Sequence, residues 1–181
     1  DSSPVAVGAQ NVHAKDEGAY TGDVSAPMLT SVGGTHVIIG HSERREYYGE
    51  TDEDVNRKVK QAKDHDLVPI VCVGETMEDR KAGHAKSVVQ TQLDGALDRV
   101  SIHSPDGLIV AYEPVWAIGT GESATPEQAQ EMHALIRGEL DERYGHDVAR
   151  GIQLLYGGSM KPHNAKGLLS EPDIDGGLIG S

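Results

Sequence analysis

Phenylalanine is missing from this 181-residue chain, and cysteine and tryptophan occur once each. The single cysteine, Cys72, rules out an intrachain disulfide and a thiolate metal cluster. Inside the apolar run Pro69-Ile70-Val71-Cys72-Val73 it reads as a small buried hydrophobe in a reducing compartment. Basic residues are scarce: 16 Lys and Arg stand against 29 Asp and Glu, a formal net charge of -13. That balance argues against nucleic acid or an anionic membrane surface as the main partner, and it fits a well-solvated surface. An anionic substrate would have to be drawn in by local donors, against the overall field. No apolar run approaches the ~20 residues of a membrane span, so the chain is expected to be soluble. The nine histidines include no His-x-x-x-His spacing, and no metal or other cofactor is expected. Asp1 opens a polar stretch without the basic and apolar segments of a signal peptide. The missing initiator Met fits processing, cloning or an incomplete sequence equally.

What is present is a regular alternation. Strands are predicted near 5–8, 36–40, 67–73, 108–112, 152–156 and 174–179, the last broken by Asp175 and two glycines. Most are continuous apolar runs, the pattern of strands buried on both faces of a parallel sheet. Between them lie helices with readable starts. Thr51 precedes Asp52, Glu53 and Asp54 in a first turn, and Val55, Val59 and Ala62 follow on one face. Thr125-Pro126-Glu127-Gln128 supplies an N-cap, a first-turn proline and a capping-box glutamine. That helix should run past Met132, Leu135, Ile136 and Leu140 to a stop near Gly145. The repeat has no linker and describes one α/β domain over residues 1–181. Periodicity leaves a barrel and an open doubly wound sheet equally possible.

In parallel α/β folds the chemistry gathers at the carboxyl ends of the strands. Here those ends read Gln10-Asn11, His41-Ser42-Glu43, Gly74-Glu75, Glu113, Gly157-Gly158-Ser159 and Gly180-Ser181. An average glutamate is a surface acid. Glu113, however, is followed by Pro114, Trp116 and Ile118, an apolar surround that would sharpen a base. An average histidine is structural. His41 precedes what reads as a helix N-terminus, which disfavours imidazolium and leaves a neutral ring to donate to a substrate oxygen. The glycine turns fit plain tight turns, or a phosphate held by backbone N–H groups with Gly119 as a further donor. A competing pattern, Gly119-x-Gly121-x-x-Ala124, matches a loose dinucleotide fingerprint. Its first glycine lies several residues past the strand, the helix has its own cap at Thr125, and no acid ends the next strand at the right distance.

Several longer segments now come together. They are residues 8–11 (Gly-Ala-Gln-Asn), 18–23 (Gly-Ala-Tyr-Thr-Gly-Asp) and 38–46 (Ile-Ile-Gly-His-Ser-Glu-Arg-Arg-Glu). They continue with 73–76 (Val-Gly-Glu-Thr), 111–121 (Ala-Tyr-Glu-Pro-Val-Trp-Ala-Ile-Gly-Thr-Gly) and 156–159 (Tyr-Gly-Gly-Ser). In this order they resemble the triosephosphate isomerase family across essentially the whole chain.

The resemblance implies a parallel (β/α)8 TIM barrel and interconversion of dihydroxyacetone phosphate with glyceraldehyde 3-phosphate, in cytoplasmic glycolysis and gluconeogenesis. It implies Glu113 as the base, His41 as the neutral electrophile and Glu43 beside them. Gly119, Ser159, Gly180 and Ser181 would hold the phosphate, and Thr21 would reach into the partner of a homodimer. It implies no cofactor or metal. Against that pattern, the first two βα units and the last helix are missing. So is the Asn-x-Lys whose lysine meets substrate, and Ser181 stands where the family has glycine. The 181 residues alone are therefore expected to be inactive and to leave strand edges open. The alternatives are a non-catalytic remnant, another phosphate-binding barrel enzyme, or a dinucleotide-binding oxidoreductase.

Overall fold

The computed structural model describes residues 4–119 and 122–180. Six parallel strands form one sheet in the order in which the chain makes them. They are β1 (Gly8–Ala9), β2 (His36–Ile39), β3 (Val68–Val73), β4 (Ile109–Tyr112), β5 (Gln153–Tyr156) and β6 (Gly176–Gly177). A doubly wound sheet reverses its strand order at a switch point, and this sheet never does. Parallel strands joined in sequence order are expected to cross over with one hand, which places the connecting helices on one side, and the sheet curls as part of a TIM barrel.

The register sorts the side chains into two faces. Ile39, Val71, Val110 and Leu154 are aligned across β2 to β5 and almost wholly buried. They meet the helices. The alternate residues Ile38, Ile70, Ile109 and Gln153 form the neighbouring layer on the concave face; the three isoleucines are only partly covered and Gln153 is exposed. The expectation of strands buried on both faces thus holds on the convex side, and on the concave side only nearer the strand ends, where Cys72 and Ala111 are fully buried.

The helices are α1 (Ala26–Ser31), α2 (Ser42–Tyr48), α3 (Asp52–Asp64), α4 (Met77–Lys81), α5 (Ala85–Ala96), α6 (Pro126–Tyr144), α7 (His146–Gly151) and α8 (Ala165–Leu168). Three begin with reciprocal capping boxes, Thr51 with Asp54, Thr76 with Asp79, and Thr125 with Gln128. Each cap satisfies otherwise orphaned N–H groups and contributes on the order of 1 kcal/mol. Val55, Val59 and Ala62 of α3 are buried, and α6 ends at Gly145 as its sequence requires.

The outermost strands are shorter than expected. At one edge Val5 and Val7 are exposed, and regular pairing starts only at Gly8. At the other, the Asp175 carboxylate accepts the Leu154 N–H at 2.8 Å and an Arg137 N–H at 2.8 Å. The side chain takes a ladder position there, so β6 keeps only Gly176 and Gly177.

Candidate active site

Alternation along β4 carries Ile109, Ala111 and then Glu113 to the concave face, one residue past the strand's end. Glu113 is 2% exposed. Its Oε2 accepts the backbone N–H of Ser42 at 3.0 Å, and Oε1 lies 2.9 Å from His41 Nε2 and 3.4 Å from the Ser42 hydroxyl. Cys72, two residues past Ile70 on the same face, sits beneath it. Burial first, and then the charge of Glu113, push its thiol well above its ordinary value.

His41 enters the site through Gly40, whose φ of +76° is one that L side chains rarely adopt; an added Cβ there would also lie 2.8 Å from Val55. The ring caps α2: the Glu43 N–H donates to Nδ1 at 3.3 Å. A nitrogen that accepts carries no proton, so the proton is on Nε2, pointing at Glu113. From the sequence, the helix terminus is expected to disfavour the imidazolium form of this ring. In the structure the hydrogen bond to Glu113 is the larger influence and raises the pKa of His41, with burial opposing it. The helix terminus and Glu113 thus act on this ring in opposite directions, and the tautomer with its proton on Nε2 is set by the Glu43 N–H.

A cavity of about 520 Å³ lies over this pair and is lined by His41, Glu43, Glu113, Gly119, Ser159 and Gly180. Six of the residues singled out from the sequence therefore meet at one place. Glu43 is the outermost of them, its carboxylate 4.0 Å from His41 Nδ1 and largely exposed. Thr21 is elsewhere, exposed in a turn beyond Tyr20. Ser181 lies outside the described residues, as does Gly121 of the dinucleotide pattern. The helix after that pattern starts only at Pro126, capped by Thr125, well past Gly119 in sequence.

The segment after Glu113 forms a flap with a single 3-10 turn, Val115–Ala117. Trp116 donates its indole N–H to Glu75 at 2.8 Å, and the same carboxylate accepts from Tyr112 at 3.0 Å and Arg80 at 3.2 Å. The Ser159 N–H donates to the Ala117 carbonyl at 3.2 Å. This engages the backbone donor of Ser159.

Sequence reasoning missed the part played by Ser42, which acts mainly through its backbone and so leaves no side-chain signal. It also passed over Lys161, which lines the same cavity, while Asn11, named at its strand end without a role, lines it too. Glu75 had a legible signal, since it follows β3 much as Glu113 follows β4.

Comparison with known proteins gives this geometry its family. The family model described as triosephosphate isomerase matches residues 1–181. A triosephosphate isomerase of Chloroherpeton thalassium is 54% identical over 180 residues, covering 99% of this chain and 71% of the relative. One from Cytophaga hutchinsonii is 56% identical over 176 residues, covering 97% and 70%. One from Chloroflexus aurantiacus is 52% identical over 178 residues, covering 98% and 71%. With the matched segments in family order and their strand-end residues gathered in one cavity, the chain belongs to the triosephosphate isomerase family.

Proposed function

We propose that this isomerase interconverts dihydroxyacetone phosphate and glyceraldehyde 3-phosphate, with Glu113 as base and His41 as electrophile. The observation that carries the reading is the 2.9 Å contact between His41 Nε2 and Glu113 Oε1 inside a glycine-lined cavity. A substrate carbonyl entering between them would take the Nε2–H hydrogen bond that Glu113 now accepts. The carboxylate, released from Ser42, would remove a proton from the carbon next to that carbonyl. The electron pair left behind forms the enediolate double bond, and charge builds on the oxygen facing His41. A proton passed from the hydroxyl oxygen to the enediolate oxygen by way of His41 Nε2, and the carbon-bound proton returned by Glu113 to the neighbouring carbon, complete the aldose–ketose exchange with no net change in composition.

Gly119, Ser159 and Gly180 ring the cavity away from α2 and suit a phosphate. Closure of the flap would keep water from the enediolate, which otherwise eliminates phosphate. For the complete protein we read a homodimer in which the exposed turn at Thr21 enters the partner's site, acting in cytoplasmic glycolysis and gluconeogenesis. No helix among the described residues is long and apolar enough to cross a membrane.

The test is exchange of substrate hydrogen with deuterated water in the full-length gene product. Glu113→Gln should abolish exchange and lower kcat by about 100- to 10,000-fold, with binding of an unreactive phosphate analogue retained. Turnover at the wild-type rate would remove Glu113 from the role of base.

A further inference from the structure

Glu113 is seated by backbone from β3 as well as by its own strand. Its N–H donates to the Val73 carbonyl at 2.8 Å, and two residues later the Val115 N–H donates to the Glu75 carbonyl at 3.1 Å. Between these bonds lies Gly74, pressed directly on the base. A Cβ at Gly74 would stand 1.7 Å from the Glu113 carbonyl oxygen and 2.6 Å from its carbon. The position of the Gly74 peptide therefore sets the position of the Glu113 backbone.

Gly74 lies past the paired residues of β3, and one side chain takes over both of its polar groups. Gln92, half-buried on α5, accepts the Gly74 N–H at 2.7 Å and donates its amide N–H to the Gly74 carbonyl at 3.1 Å. A side-chain amide that pairs with one peptide in both directions imitates a strand neighbour. The need for such a brace is visible behind the base. A second cavity, of about 450 Å³, is lined by Gln92, Gly74, Ser42 and Glu113, so close packing on that side is interrupted beside this segment.

We infer that Gln92 is a positioning residue for Glu113, clamping the Gly74 peptide and through it the backbone from which the carboxylate reaches the reacting carbon. This rests on Glu113 being the base. Gln92 touches neither substrate nor reacting atoms. If it only pinned α5 to the sheet, its loss would lower the melting temperature and leave the kinetics alone. A clamp on the base appears in kcat instead, because the groups suited to hold phosphate lie across the cavity and are untouched. A displacement on the order of 1 Å at a reacting group costs up to about 100-fold in rate.

The experiment compares Gln92→Leu, Gln92→Glu and Glu113→Gln in the full-length gene product, measuring kcat, KM and thermal midpoint. Leucine keeps the bulk and loses both hydrogen bonds. Glutamate keeps the acceptor for the Gly74 N–H and sets a carboxylate against the Gly74 carbonyl. The expected result is a kcat about 10- to 100-fold lower for Gln92→Leu, with KM within twofold of wild type and Gln92→Glu intermediate. A Gln92→Leu kcat within twofold of wild type, or a loss carried by KM, overturns the clamp whatever the melting temperature does. Should Gln92→Leu fail to fold, Gln92→Glu decides by the same criterion. Glu113→Gln separates the two readings. If it is inactive while Gln92→Leu turns over normally, only the clamp falls; if it is active, the base assignment and the clamp fall together.

Discussion

The carboxylate of Glu113 accepts the backbone N–H of Ser42 at 3.0 Å, a bond that joins the end of β4 to the first residue of α2 across 71 positions of sequence. The other carboxylate oxygen faces His41, the residue that caps the same helix. One helix terminus thus holds both oxygens of the base and, through the Glu43 N–H, the tautomer of its partner. The arrangement keeps the two side chains in contact, and in the proposed mechanism a substrate carbonyl would separate them.

That contact predicts a displaced histidine titration. His41 should titrate above 6.5, because Glu113 favours the imidazolium more than burial disfavours it. Stability from this pair is therefore complete below pH 6.5 and fades as pH rises through the raised value. Catalysis needs the neutral ring, so the acid limb of kcat/KM should also lie above 6.5. Proton NMR of the histidine ring signals checks the first point on the 181-residue chain itself. Glu113→Gln should move the His41 midpoint down, and an unmoved midpoint would refute the pairing.

Much of this site was legible from local pattern. Glu113 and His41 announce themselves because β4 and β2 are continuous apolar runs whose ends are obvious. Thr51 and Thr125 announce their helices because capping is local chemistry, although the box at Thr76 and Asp79 passed unread. The bond to Ser42 and the Gln92 clamp were not legible, since each joins distant segments through a backbone group that every residue carries. The partial exposure of Ile38 and Ile70 follows from the curl of the sheet and not from their own hydrophobicity. Asp175 marked the break in the last strand, but its reason, a carboxylate serving Leu154 and Arg137 together, needed three dimensions.

The flap can be followed by its own reporter, because Trp116 is the chain's single tryptophan. It is 9% exposed, with its indole N–H on Glu75 and the Arg80 guanidinium 4.8 Å above its ring. Wild-type emission should be blue-shifted and poorly quenched by acrylamide. Glu75→Ala removes the acceptor shared by Trp116, Tyr112 and Arg80, and quenching should rise several-fold. Unchanged quenching would mean that the flap does not depend on this latch.

His133 predicts the acid behaviour of the fold. It is fully buried on α6 with Nδ1 at 2.9 Å from the Asp173 carbonyl, and burial drives its pKa down to about 4. A histidine that titrates near 6.5 when unfolded binds its proton more readily in that state. Stability is therefore complete above about pH 6.5 and falls as the pH drops toward 4, by roughly 3 kcal/mol for this group. Urea denaturation at pH 7 and pH 4.5 should show that loss in the wild type. In His133→Gln the loss between the two pH values should be smaller by most of that amount. An equal loss in the variant would acquit His133.

Glu50 and Lys58 tie the site to the helices behind it. Glu50 is 8% exposed and accepts from Lys58 Nζ and, at 3.4 Å, from Arg44; the same ammonium donates to Asn11 at 2.8 Å. Lys58→Met would leave a buried carboxylate with Arg44 as its remaining cation and would free Asn11, which lines the active-site cavity. Loss of one partner from a buried pair costs about 3–5 kcal/mol, and Arg44 should hold this case near the lower end. Neutralising both members with Glu50→Gln and Lys58→Met should restore most of the stability, because the penalty arises from the stranded charge and not from the missing attraction. Chemical denaturation of the two single variants and the double variant decides it. A Lys58→Met protein within 1 kcal/mol of wild type, or a double variant as unstable as the single, would show that this pair does not carry a buried charge.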